Sequence, residues 1–176
     1  MESTMFNFIS TIKWGELKEF KNLAVIPLFA EAGPKNPDYL TMEDAINSHL
    51  LNIGEKNSGG SVPELVAQNL ADIPVLLLDG EEVIGAKQNR ILNASILLAP
   101  KSTIVIPVSC VEAHRWSYTT KKFGHSDAYL NYDIRREKHR DVSMSLKVSQ
   151  EYHADQGKVW DRINELHQDL SVESNT

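Results

Sequence analysis

Cysteine is almost missing from this chain of 176 residues, where Cys110 stands alone. A single thiol cannot close a disulfide within the fold, so a small scaffold held together by such bridges is excluded. Long hydrophobic runs are missing too. No stretch approaches the ~18 apolar residues of a membrane-spanning helix, and the first eleven residues lack the basic start and apolar run of a secretory signal. A soluble protein of a reducing compartment, the cytoplasm, with no membrane association is therefore expected. Excess positive charge is also lacking. The 18 basic residues face 24 acidic ones for a net charge of -6, so the field of the whole molecule does not draw in a polyanion, and general nucleic-acid binding is disfavoured. Glycine forms neither a Walker-type loop nor Gly-x-Gly-x-x-Gly after a strand, which removes the standard triphosphate and dinucleotide cradles. The six histidines (His49, His114, His125, His139, His153, His167) show neither i, i+4 spacing nor cysteine partners. No metal site is expected from them, and the cofactor, if any, stays unspecified.

What is present suffices for one domain over 1–176 with a real core, since 41% of the residues are hydrophobic. Asn22-Leu23-Ala24-Val25-Ile26-Pro27-Leu28-Phe29 reads as a strand closed by turns at Gly33-Pro34 and Asn36-Pro37. Thr41-Met42-Glu43-Asp44 reads as a capped helix start, with a short helix over about 42–51. Apolar periodicity stops at Asn57-Ser58-Gly59-Gly60-Ser61, a surface loop, and a strand pattern resumes over 62–69. Val75-Leu76-Leu77-Leu78 is a buried strand ended by Asp79-Gly80, and another strand follows over 81–84 after a hairpin or sharp bend. Strands are expected again over 91–98 and 103–112. In the second of these Ile104, Ile106, Val108 and Cys110 share one face, and Pro107 is assigned to an edge or bulge because it lacks a ladder donor.

Beyond Trp116 the composition shifts. Residues 114–140 hold seven Lys or Arg against three acids, a local charge of +4. The run Arg135-Arg136-Glu137-Lys138-His139-Arg140 reads as a solvated helix face, with polyphosphate binding as the functional alternative. Val159, Ile163, Leu166 and Leu170 predict a helix from a cap at Asp155 to about 170. The expected fold is α+β: an antiparallel β-sandwich or barrel over about 22–116, one short internal helix, and a mostly helical C-terminal part over about 125–170.

Chemistry concentrates in residues 79–90, where seven of twelve side chains are acids, bases or amides directly after a buried strand. Polar groups at the end of a rigid strand are a common way to display a site. If strand continues there, Lys87 and Asn89 share one face, with Gln88 and Arg90 on the other. Lys and Arg suit phosphate or carboxylate, Asn and Gln direct hydrogen bonds, and Asp79 with Glu81 could hold a ribose hydroxyl or a divalent ion. An exposed hairpin tip with solvated charges is the plain alternative. At the end of the last long strand, Cys110 falls on the apolar face and reads as a small buried hydrophobe rather than a nucleophile. Glu112 and Arg115 beside Trp116 read as a positioned ion pair or as a structural cation–π contact. Glu81 and Glu112 are the carboxylates that could carry acid–base hydrolysis.

Taken together, the block 75–93, with its Asp79-Gly80-Glu81 and Lys87-Gln88-Asn89-Arg90, then Ile106-Pro107-Val108-Ser109-Cys110-Val111-Glu112 with Arg115-Trp116, then Asp155-Gln156-Gly157 with Trp160, resemble one family. It is the prokaryotic domain family named for its association with ADP-ribosylglycohydrolases and rhodanese-type phosphatases, matched from about 22 to 164. The resemblance implies a role near ADP-ribose or another nucleotide-derived metabolite. It also implies a longer architecture, with a further region after the position of Thr176, of which this chain is a shorter version. Such a ligand would offer a diphosphate to Lys87, Arg90 and Arg115, ribose hydroxyls to Asp79, Glu81 or Glu112, and a base to Trp116 or Tyr118, with Gln88 and Asn89 in the same pocket. Two functions are therefore weighed: binding or processing of that metabolite, and a noncatalytic protein-interaction module whose polar block is a structural network. Self-association is left open.

Overall fold

The structure is a computed structural model and describes residues 2–30, 38–113 and 115–172. The expected turns at Gly33-Pro34 and Asn36-Pro37, and His114, lie outside the described residues. The chain divides into two compact units, Met1–Pro37 and Asp38–Thr176.

The first unit holds helix α1 (Glu2–Ser10) and strands β1 (Lys13–Trp14), β2 (Lys18–Phe20), β3 (Leu23–Val25) and β4 (Leu28–Phe29). β1 pairs with β4 and β2 with β3, each antiparallel. The run 22–29 is thus two short strands separated at Ile26 and Pro27, and their side chains are exposed. Proline has no ladder donor, so it divides a run that composition alone reads as continuous.

The second unit begins with β5 (Leu40–Thr41), α2 (Met42–Asn47), β6 (Leu51–Glu55), β7 (Glu64–Asn69) and β8 (Val75–Leu77). It continues with β9 (Glu81–Gly85), β10 (Arg90–Leu92), β11 (Ile96–Leu98), β12 (Thr103–Cys110) and β13 (Phe123–Tyr129), and ends with α3 (Tyr132–Ser149) and α4 (Gln156–Asp169). An antiparallel six-stranded sheet in the order β13-β9-β10-β12-β7-β6 curls into a half-barrel. Lys122 beside β13 reaches Asn52 on β6 at 2.7 Å, linking the two edges. A three-stranded sheet, β11-β8-β5, contributes Val75, Leu77 and Leu98 to the same core as Ile53, Leu65, Ala67, Val83, Leu92, Ile106 and Val108 of the larger sheet. Met42 and Ala45 of α2 are buried in it. The architecture is α+β with mostly antiparallel strands; among the described residues only β5 and β8 pair in parallel.

Two details position the site. Asp79-Gly80 is a sharp bend that carries the chain from one sheet to the other, since β8 and β9 do not pair. Gly80 has φ +85 and lies against the Arg135 side chain, a conformation and a proximity that disfavour a Cβ. The run 91–98 likewise breaks after Leu92, so that β10 pairs with β12 and β11 with β8. Pro107 lies on an interior strand rather than at an edge. The N–H of its neighbour Val108 bonds Pro63 on the β7 side, so the donor that Pro107 lacks would point toward β10, beyond its last residue Leu92. There Asn93 N–H still donates to the Pro107 carbonyl at 3.0 Å, so proline costs only the return bond of the last pair.

Thr41 caps α2 by accepting from the Asp44 N–H, and Asp155 caps α4 by accepting from Gly157 and Lys158. Gln156, on the first turn of α4, bonds both backbone groups of Cys110, accepting from its N–H at 2.7 Å and donating to its carbonyl at 2.6 Å. That pair of bonds docks the helix on the end of β12. No helix among the described residues is long and apolar enough to cross a membrane.

Candidate functional site

β9 ends in two successive residues with positive φ, Gly85 at +116 and Ala86 at +41. Such a conformation costs a non-glycine residue about 1–2 kcal/mol and persists where the surroundings fix it. They do so here: Ala86 N–H donates to Thr120 Oγ1 at 3.0 Å, and the Ala86 carbonyl accepts from Thr119 N–H and Arg115 Nη1, both at 2.9 Å. The result is a turn rather than a continued strand, and it carries Lys87, Gln88 and Asn89 toward Glu112 and Arg115.

Those two residues clamp the turn. Glu112 accepts from Asn89 N–H at 2.5 Å through Oε2, and Arg115 Nε lies 3.1 and 3.0 Å from its two oxygens. Arg115 Nη1 also reaches the Ser117 carbonyl, and Nη2 reaches Glu112 and Asn89 Oδ1. All five guanidinium N–H groups are thereby engaged. Gln88 donates to the Glu112 carbonyl at 2.7 Å and accepts from Arg90 Nη1 at 2.9 Å. Arg90 pairs across the sheet with Val83 and Cys110, which places it on the core-facing side, and it is fully buried. Its Nε and Nη2 have no partner among the described residues. Burial pushes its guanidinium pKa down, while Cys110, Glu55 and Glu112 nearby raise it. Trp116 packs its ring not on Arg115 but against Lys87 Nζ and the Arg90 guanidinium, at 5.2 and 5.5 Å, and Tyr118 lies 5.3 Å from Lys87 Nζ.

Asp79 and Glu81 stand at the opposite end of β9, roughly 13 Å away along a strand rising about 3.3 Å per residue. Glu81 is buried, accepting from Leu78 N–H at 2.7 Å and from the Tyr129 hydroxyl at 3.3 Å. Burial and the Glu81 charge push the Tyr129 pKa up. Asp79 is paired with Lys138 and, at 2.9 Å, with Arg135. The basic run on α3 is therefore only partly a solvated face: Lys138 is buried and also donates to the Leu92 carbonyl at 2.8 Å. Burial alone would raise the Asp79 pKa, but the hydrogen bonds and charges of Lys138 and Arg135 carry it below its ordinary value.

The predicted residues thus fall into two groups, Lys87, Gln88, Asn89, Arg90, Glu112, Arg115 and Trp116 in one cluster and Asp79 with Glu81 in another. Two clefts adjoin the first cluster and share Asn89 and Glu112 as lining residues. One, of about 320 Å³, has apolar walls from Ile91, Val111, Ile134, Ile163 and Leu166; the other, of about 610 Å³, reaches Arg115, Thr119, Thr120 and Lys122.

The acid that shares the smaller cleft with Glu112 is Glu82, which is not among the candidate site residues that the sequence indicates. Glu82 accepts from Asn89 Nδ2 at 3.4 Å and from Ser126 Oγ at 2.7 Å. Strand alternation could have found it, because Glu81 and Val83 face the core and Glu82 therefore faces away.

The stretches quoted above from 75–93, 106–112 and 155–157 meet in this one region through Arg90, Cys110, Glu112 and Gln156. A family model described as the ARG and Rhodanese-Phosphatase-superfamily-associated Protein domain, ARPP-1, matches residues 11–176. The chain belongs to the ARPP-1 family. No curated protein and no solved structure matches it.

Within the ARPP-1 domain, Cys110 is the one nucleophile candidate that geometry disfavours. It is buried, and its thiol pKa is pushed up to about 11, first by burial and then by Glu55 and Glu112, against a lowering by Arg90. We expect a thiol reagent to label native protein very slowly at neutral pH, with Cys110→Ala leaving any ligand binding intact. Rapid labelling of the folded chain, or loss of binding in that variant, would reverse the assignment. Elsewhere, Glu43 on α2 and His125 and Asp127 on β13 bring possible ligand atoms within 4.8 Å of one another. The sequence spacing concealed that grouping, since Glu43 lies on a distant helix.

Proposed function

We propose that the domain binds a small metabolite derived from a nucleotide, of the ADP-ribose class, at the Asn89–Glu112 wall. The observation that carries this reading is the convergence of the 86–89 turn with Glu112 and Arg115 beside two clefts that Asn89 and Glu112 both line. Cavities of about 300–1,000 Å³ are the usual size for small ligands. Glu82 keeps acceptor capacity for vicinal ribose hydroxyls. Lys87 and Arg90, which line neither cleft, gather positive charge beside Trp116 near the same turn, and Trp116 and Tyr118, both about half exposed, offer faces for a base. The family's association with ADP-ribosylglycohydrolases supports the same ligand class by company rather than by chemistry.

Binding is favoured over hydrolysis. Glu112 has both oxygens held by Arg115 and Asn89, and Glu81 is occupied at the other end of β9. Neither is placed as a free acid or base. One observation favours the second reading, a noncatalytic interaction module: Arg115 and Asp79 direct their charge into the fold.

Calorimetric titration of the chain with ADP-ribose, AMP and adenosine, with and without magnesium, separates the two. The metabolite reading expects saturable binding of ADP-ribose, weakened about tenfold by Glu82→Gln through the loss of one charged hydrogen bond. Absence of heat with every nucleotide, from protein that is folded by circular dichroism, would favour the interaction module.

A further inference from the structure

Arg90 uses its donors unevenly. Nη1 is bonded to Gln88, while Nε and Nη2 are buried with no partner among the described residues. Those two nitrogens form one edge of the guanidinium, the side that can grip two oxygens of a phosphoryl or carboxylate group together. Burying charged donors without partners costs about 1–3 kcal/mol or more, so an empty edge at this depth points to an occupant.

The surroundings define that occupant. Lys87 Nζ and the Arg90 guanidinium both lie over Trp116. Glu55, at the end of β6, accepts from Lys87 N–H at 3.4 Å through Oε1, and its Oε2 is buried and unpartnered among the described residues. Arg115 and Glu112 neutralise each other, so Arg90, Lys87 and Glu55 together leave a single positive charge. An oxyanion balances it, and Glu55 Oε2 calls for a donor beside that anion.

The segment 57–60 covers this cluster. Lys87 Nζ donates to the Gly59 carbonyl at 2.5 Å. Gly60 has φ +79, and a Cβ there would lie 3.1 Å from Lys87 Cδ and from Trp116 Cζ2, and 3.3 Å from Glu55 Oε2. The backbone is therefore seated directly on the three side chains, where glycine is the residue that fits. Its turn is closed by Gly60 N–H donating to Asn57, and no strand or helix includes it.

We propose that Arg90, Lys87, Glu55 and Trp116 form a subsite for one oxyanion, a phosphoryl or carboxylate group with a neighbouring hydroxyl, and that the 57–60 segment is its cover. The oxyanion lies along the Nε and Nη2 edge of Arg90, and the hydroxyl donates to Glu55 Oε2. A ligand oxygen replaces the Gly59 carbonyl on Lys87 Nζ, which releases the segment. The subsite rests on the nucleotide-metabolite reading and names the group that it recognises.

The test is calorimetry with ribose 5-phosphate as the phosphoryl probe and gluconate as the carboxylate probe, adenosine being the neutral control. Hydrogen exchange of 57–61 is followed in parallel. One of the two anions is expected to bind and to change exchange in that segment. Lys87→Met and Arg90→Lys are each expected to weaken it about tenfold or more, since neither restores the lost donor geometry. Lys87 lies on the turn, so its variant stays informative if the Arg90 variant fails to fold.

Unchanged affinity in Lys87→Met, with unchanged exchange, would overturn the subsite and leave a buried water as the occupant of the Arg90 edge. If ADP-ribose binding is weakened by Glu82→Gln but not by Lys87→Met, the subsite falls while the cleft reading stands. If neither ribose 5-phosphate, gluconate nor ADP-ribose binds up to about 10 mM, both fall.

Discussion

Lys138→Met is expected to lower unfolding stability by about 3–5 kcal/mol, the cost of leaving a buried charge without its partner. Lys138 is buried and bonded to both Asp79 and the Leu92 carbonyl, so its removal exposes no compensating water. Arg135 remains beside Asp79, but it is half exposed and reaches only one of the two carboxylate oxygens. Denaturant midpoints measured for Lys138→Met, Asp79→Leu and the double variant check the assignment. The double variant should recover much of the loss, because it removes both charges together. A loss under about 1 kcal/mol in the single variant would show that the pair is dispensable.

The same pair predicts a pH dependence. The folded-state pKa of Asp79 is depressed below its ordinary value of 3.8. Its contribution is therefore fully present above about pH 4 and lost as pH falls through the lower folded pKa. Asp79→Asn should flatten the acid limb of the stability profile relative to the parent chain. An identical acid limb in both would show that other carboxylates control it.

The second large effect is expected at Arg115. Arg115→Lys should cost about 2–3 kcal/mol and also abolish ligand binding, although the charge is conserved. An ammonium has three donors on a point charge, whereas Arg115 fills five positions, including the carbonyls of Ala86 and Ser117 and the side chains of Asn89 and Glu112. Without the fork, Ala86 at φ +41 keeps only its bonds to Thr119 and Thr120, and the turn carrying Lys87 to Asn89 relaxes. Thermal unfolding together with ADP-ribose titration of Arg115→Lys gives the check. Full binding in a folded Arg115→Lys would show that the turn is held by Thr119 and Thr120 alone.

Much of the second unit was legible because its patterns are local. Strand composition between turn signals located β7 and β9, period-two alternation located β12, and the 3.6 period with the Asp155 cap located α4 within about one residue. Elements that depend on partners were not legible. The 22–29 run has a core strand's composition but lies as two exposed short strands, and 91–98 divides because its halves belong to different sheets. Lys138 was read among solvated charges, since nothing in its neighbours in sequence announces Asp79, 59 residues away. Spacing alone does not say which face of β9 meets the core, so it does not separate the buried Glu81 from the cleft-lining Glu82.

The sequence by itself determined that this is an α+β chain with mostly antiparallel strands, that its chemistry gathers near residues 79–90 and 112–116, and the family to which it belongs. Those properties reside in composition, periodicity and contiguous motifs. Tertiary structure alone decided which charges are partners, that Arg115 clamps a strained turn while Arg90 keeps an open buried edge, and that Glu55 and the 57–60 segment meet Lys87 and Trp116. The physical reason is range. Hydrogen-bond and ion-pair energies fall away within a few ångströms, and chain folding, which the local pattern only constrains, sets which distant groups come that close.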